Sequence, residues 1–126
     1  MFSFVIFAWI SPKLPQMKVT ITSLELKGPL KFFALSATAL KIMKQMRSAN
    51  ALAFKKRGVW TKHYTMSLWK DEHEMKAFAL SGAHLEAMKN SRKIAREIRT
   101  VTIDADALPD WNTARALLEK GKVLKF

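Results

Sequence analysis

The chain contains no cysteine, which excludes disulfide staples, thiolate metal sites and cysteine nucleophiles, and fits a reducing compartment. Glycine and proline are scarce, four of each in 126 residues, and low-complexity tracts are missing, so no long disordered arm is expected. Acidic residues are the minority. Ten Asp and Glu face 22 Lys and Arg, a formal net charge of +12, and such a surface attracts phosphates, anionic lipids or acidic metabolites. The cations are spread over at least four segments, Lys27 to Lys31, Lys41 to Arg47, Lys55 to Arg57 and Lys89 to Arg99. The plainer reading of that spread is a diffuse solvated coat. No apolar run approaches the about 20 residues that a membrane span needs. The stretch from Phe2 to Ile10 is almost wholly apolar but stops at Ser11-Pro12, and it lacks the basic flank and small-residue cleavage site of a signal peptide. Residues 1–16 are read as an apolar N-terminal extension from a mis-assigned start. Residues 17–126 are read as a single domain, long enough for one core, in the cytoplasm, with no membrane partner.

What is present is a sequence of alternating periods. Met17 to Leu26 alternates, Val19, Ile21 and Ser23 against Thr20, Thr22 and Leu24, as a half-buried strand does. Gly28-Pro29 ends it and opens a helix in which Phe32, Leu35, Ala39, Ile42 and Met46 recur at helical spacing. Ala51 to Phe54 reads as a short strand, Lys55 to Gly58 as a turn and Val59 to Trp69 as the return strand. On that return strand Thr61, His63, Thr65, Ser67 and Trp69 share one face, and Trp60, Lys62, Tyr64, Met66 and Leu68 the other. Asp71, with Glu74 three residues on, has the form of a capping box and starts a second helix, loosened at Ser81-Gly82 and continued from Ala83 to about Arg96. Glu97 to Asp104 alternates as a strand, and a last helix bears Trp111, Ala114 and Leu118 and closes at Gly121.

The order β-α-β-β-α-β plus a terminal helix is the ferredoxin-like arrangement, an α+β fold with a four-stranded antiparallel sheet and two long helices on one face. If Val19, Ile21, Val101 and Ile103 face those helices, the opposite face carries Thr20, Thr22, Thr100 and Thr102, with His63 among further hydroxyls. That threonine face is then either open to water or closed over by a partner sheet.

From Trp60 to Thr100 the chain resembles the dimeric α/β-barrel superfamily, in particular an uncharacterised branch related to spheroidene monooxygenase and the antibiotic-biosynthesis monooxygenases. The residues that carry the likeness are Ser67-Leu68-Trp69, the acidic helix start at Asp71-Glu72, Phe78, then Ser81-Gly82-Ala83-His84 and a basic tail; it extends from Met17 to about Leu118. The resemblance implies a homodimer whose sheets pack into a barrel, a small-molecule pocket between each sheet and its helices, and either cofactor-free oxygenation or haem binding. Alignment on Trp69 and Phe78 puts Met88, not His84, where haem-degrading relatives keep their axial histidine. Haem is therefore not expected, and Met88 is assigned to core packing beside Leu85 and Ala95.

His63, His73 and His84 form no metal-binding pair at helical spacing, so no metal is expected. His63 and His84 are the candidate acid–base residues, each set against a purely structural role: His63 as a hydrogen-bonded interface residue, His84 as an anchor of the helix break. Trp60, Tyr64, Thr65, Trp69, Phe78 and Arg96 are the candidate substrate-binding residues, for a planar or anionic molecule. The alternatives to an oxygenase are a non-enzymatic ligand-binding or stress-related dimer and an RNA-binding module, since Lys56-Arg57-Gly58-Val59-Trp60 resembles the start of an RNA-recognition strand. Nucleic acid is not the expected partner, because threonines replace the stacking aromatics on which single-stranded binding depends.

Overall fold

The alternation that begins at Met17 builds an edge-to-edge antiparallel sheet around β1 (Lys18–Leu26), in which Val19, Ile21 and Ser23 are buried on one side. This computed structural model describes residues 16–126, so the expectation about the apolar N-terminal extension lies outside the described residues. Helix α1 (Lys31–Ser48) follows β1. The hairpin β2 (Ala51–Val59) and β3 (Lys62–Trp69) comes next. Two helices, α2 (Glu72–Ala79) and α3 (Gly82–Ile94), lead to β4 (Ala95–Asp104). Helix α4 (Trp111–Leu118) and a short β5 (Lys122–Lys125) complete the chain. The strand order is β2-β3-β1-β4-β5, with every neighbour antiparallel.

The ferredoxin-like α+β class stands, with a fifth strand that the sequence reading did not contain. Lys122 to Lys125 is too short to show a period, and it forms because Gly121, turning back at the end of α4, brings the chain alongside Arg99. The hairpin is also longer than expected. Its turn lies at Trp60-Thr61, not at Lys55 to Gly58, and the residue in the left-handed region is Trp60, with φ of 52°. Gly58 is needed for another reason. A Cβ there would overlap the ring of His63, directly across the hairpin, so only glycine leaves room for that ring.

The faces are covered in the reverse of the expected way. Val19, Ile21, Met66 and Leu68 pack with the C-terminal helix α4, whose Ala114 and Leu118 are buried, and Val101, Ile103 and Trp111 close around them. The long helices lie over the other face. The register sets Thr20 beside Ser67 and Thr102, and Thr22 beside Thr65 and Thr100, so the expected hydroxyl row is real but runs beneath α1, α2 and α3. Alternation separates two faces of a strand without saying which layer covers which. The compact α4, bearing two small or apolar buried positions, takes the aliphatic side. Neither α1 nor α3 contains a fully buried residue, and Thr65 and Thr102 are exposed, so the hydroxyl face is roofed but not packed.

Candidate functional site

The aromatic cluster on the hydroxyl face is built where β3 ends. Asp71 caps α2 by accepting from the Glu74 N–H at 2.9 Å, which fixes the direction of the helix as it leaves the sheet. Phe78, one helix face later, then lies 5.1 Å ring to ring from Trp69, and His84 lies 5.1 Å beyond Phe78. Trp69 and Phe78 are buried, and the indole N–H of Trp69 donates to Ser67 Oγ at 2.9 Å. Met75 reaches the floor, where the Thr20 hydroxyl donates to its Sδ at 2.8 Å. Thr20 pairs with Thr102, and Thr22 with Thr100, each at 3.3 Å between hydroxyls.

The break at Ser81-Gly82 is what aims His84. Gly82 has φ of 56°, a conformation that favours glycine, and a Cβ there would press on the Gln45 amide at 3.2 Å. Gln45 of α1 ties the junction together: its Nε2 donates to the carbonyls of Ser81 at 3.0 Å and Phe78 at 3.3 Å, while its Oε1 accepts from the His84 N–H at 2.9 Å. The ring of His84 is held by Nδ1, 3.0 Å from the Ala79 carbonyl. A carbonyl oxygen only accepts, so Nδ1 carries the proton and Nε2 keeps a lone pair. Burial lowers the pKa of His84, against a smaller raising effect of the Ala79 hydrogen bond, and the ring is neutral at physiological pH. A neutral imidazole with one nitrogen anchored and the other free is a proton acceptor.

His63 lies at the other end of the same face, six strand residues from Trp69 on β3, or roughly 20 Å of extended chain. Its Nε2 contacts the Trp60 carbonyl at 2.8 Å, its Nδ1 side is pressed against Gly58, and Phe32 of α1 covers it at 5.8 Å between rings. Both ring nitrogens are thus engaged with the hairpin. The side chain lies on the helix side of the sheet, not in the expected barrel-facing position.

The remaining candidates are dispersed. Trp69 and Phe78 meet ring to ring, and Thr65 is exposed on the hydroxyl face. Tyr64 is on the opposite face, edge to face with Trp111 at 6.3 Å, beside a cavity of ≈ 220 Å³ lined also by Arg57, Lys62 and Arg115. Trp60 is at the hairpin tip, and Arg96 is exposed at the start of β4, 3.9 Å from Glu25. Met88 is 51% exposed, which corrects its assignment to the core: Leu85 and Ala95 turn inward and Met88 does not. Gln45 and Met75 were missed in the sequence. Nothing in a single polar or thioether residue at helical spacing marks it as the one that reaches across to another element. Beside them, a second cavity of ≈ 250 Å³ opens between Gln45, Trp69, Glu74, Phe78 and Ser81. Among the described residues there is no group of three or more His, Asp or Glu side chains placed to hold a metal ion.

Solved structures share this arrangement. A putative antibiotic biosynthesis monooxygenase from Nitrosomonas europaea superposes with a TM-score of 0.63 at 14% identity, over 79% of this chain and 99% of that one. The fold is the one these proteins share, a ferredoxin-like α+β unit. A second such protein, from Chloroflexus aurantiacus, gives 0.59 at 13% identity, covering 75% and 97%. SnoaB, a cofactor-independent oxygenase from Streptomyces nogalater, gives 0.53 at 14% identity, covering 75% and 99%. No family model matches the chain, and no curated protein does. Likeness at these identities establishes a monooxygenase-like fold; the chemistry has to be argued from the groove.

Proposed function

We propose that the chain is a monooxygenase-like protein that binds a planar, electron-rich small molecule in the hydroxyl groove and oxidises it without a cofactor. The observation that carries this reading is His84: neutral, anchored through Nδ1, and joined by ring contact through Phe78 to Trp69, on the side of the sheet that carries the threonines. Flat aromatic walls hold a planar body, and paired hydroxyls supply the few polar contacts that orient it. Nε2 of His84 takes the phenolic proton of the bound substrate, and the electron-rich ring carbon of the anion adds to dioxygen; the peroxide takes the proton back and loses water with the ring hydrogen, leaving one oxygen atom as the new quinone carbonyl and the other in water. SnoaB, which shares this fold, is described as a cofactor-independent oxygenase, and that supports the reading. On this reading His63 supports the hairpin, and Thr65, Trp69 and Phe78 contact the substrate. The chain works as a homodimer in the cytoplasm, paired through the α4 side of the sheet, where the half beside Tyr64 and Trp111 is incompletely covered.

The test is oxygen uptake by the metal-free protein with a panel of polycyclic phenols. One of them should be consumed, His84→Gln should lower its turnover about 100-fold or more, and His63→Gln should leave turnover within a few-fold of the parent. No uptake above the uncatalysed rate with any of the panel, together with no binding, favours the non-enzymatic dimer on other ligands. Uptake unaffected by His84→Gln removes His84 as the base.

A further inference from the structure

One end of the sheet concentrates features that the groove does not use. Leu26 N–H bonds to the Thr61 carbonyl and Lys27 N–H to the Ile94 carbonyl, so the β1–α1 loop, the hairpin tip and the α3–β4 junction meet there. Three large apolar side chains stand out from this end: Leu30 at 82% exposure, Trp60 at 78% and Phe33 at 73%. Phe32, stacked on His63 and in edge contact with Phe33, ties the start of α1 to the hairpin and sets them side by side. Trp60 is there against local preference, since a bulky residue in the left-handed region is strained and an exposed indole gains no packing in return.

The charge around these side chains is one-sided. No Asp or Glu occurs between Glu25 and Asp71, a span that contains ten Lys and Arg. Lys27, Lys31, Lys62, Lys93 and Arg96 cluster by sequence and strand register at this end. Glu25 and Glu97, on the strand ends there, are each engaged by an arginine, Arg96 at 3.9 Å and Arg99 at 3.5 Å. Asp71, Glu72 and Asp104 lie at the opposite end of the strands. The molecule is therefore polar along its strands, with an apolar crest ringed by cations at one pole.

From this juxtaposition we infer that the hairpin pole docks peripherally on an anionic lipid surface, inserting Trp60, Leu30 and Phe33 at headgroup depth while Lys27, Lys31, Lys62 and Arg96 contact lipid phosphates. Two signals that are each weak in isolation, shallow apolar insertion and a polybasic ring, combine in such docking. A bilayer fits better than a nucleic acid because the crest contains an aliphatic Leu30 and a helix-borne Phe33 and has no flat stacking platform. Among the described residues no helix is long and apolar enough to cross a membrane, and docking of this kind needs none.

The experiment is co-sedimentation of the full chain with phosphatidylcholine vesicles, with and without about one quarter phosphatidylserine, at low and high salt. Retention is expected only on the anionic vesicles, with loss at high salt. Trp60→Asn suits the left-handed turn better than tryptophan, so it should keep or raise the melting temperature while lowering retention several-fold. Leu30→Ser with Phe33→Ser, and separately Lys27→Glu with Lys31→Glu, should each lower retention about tenfold or more without unfolding the chain. Equal retention on neutral vesicles, no retention at low salt, retention untouched by these variants, or retention on single-stranded RNA in place of vesicles would each overturn the inference.

Discussion

At Gly58 a single missing methyl group decides whether the hairpin closes. Its Cβ would overlap the His63 ring, so Gly58→Ala is expected to destabilise the fold by about 1–3 kcal/mol. In a His63→Ala background the obstacle is gone, and most of that cost should disappear; chemical denaturation of the two single variants and the double variant measures the coupling. His84 gives a second expectation, in pH. Its folded-state pKa is lowered, so as pH falls below about 6.5 the unfolded chain takes up the proton first. Stability should fall with pH from there and level off once the lowered folded-state value is passed, and His84→Gln should remove this component from the melting temperature between pH 7.5 and 5. The other shifted groups, Asp110 and Lys18, titrate in the carboxylate and lysine ranges and leave that window clear. Single residues were also where sequence reasoning reached least far. The candidates His63 and His84 are both on the groove side, but whether a histidine has a free nitrogen depends on a carbonyl such as that of Ala79 or Trp60, and no spacing rule reveals which carbonyl a ring will meet.

Elements were legible where a strong period or a cap marked them. The threonine alternation in β1 and β4, the Asp71 cap and the Ser81-Gly82 break all appear where the pattern put them, because each is a local preference that tertiary packing leaves intact. The hairpin turns at Trp60-Thr61, beyond the glycine that the pattern marks, because a cross-strand ring and not turn geometry requires Gly58. The layer over each face differs from the expected one because α4 is part of the core. It is an anchored element: Asp110 accepts from the Thr113 N–H at 2.7 Å, and Leu118 is buried against the aliphatic face. Asp110→Ala is accordingly expected to cost about 0.5–2 kcal/mol and Leu118→Ala about 2–5 kcal/mol in denaturant unfolding. Gln45 links α1 to the α2–α3 junction through its amide, so Gln45→Ala should raise amide exchange at Ser81 to Leu85 ahead of any change in β1.

For the molecule as a whole, the sheet divides two kinds of interior. The α4 side is aliphatic at its centre, with a cavity left beside Tyr64 and Trp111; the helix side is hydroxylated, aromatic at one end, and partly open. The polar, incompletely packed helix side is the one the proposed substrate occupies. The most direct measurement is a methyl-resolved NMR titration with the polycyclic phenol that binds most tightly. The account predicts shifts at the methyl groups of Thr20, Thr22, Thr100 and Thr102 and at Met75, with those of Val19, Ile21, Leu68 and Val101 unmoved. Shifts confined to the aliphatic set, or to residues around Tyr64 and Trp111, would contradict it.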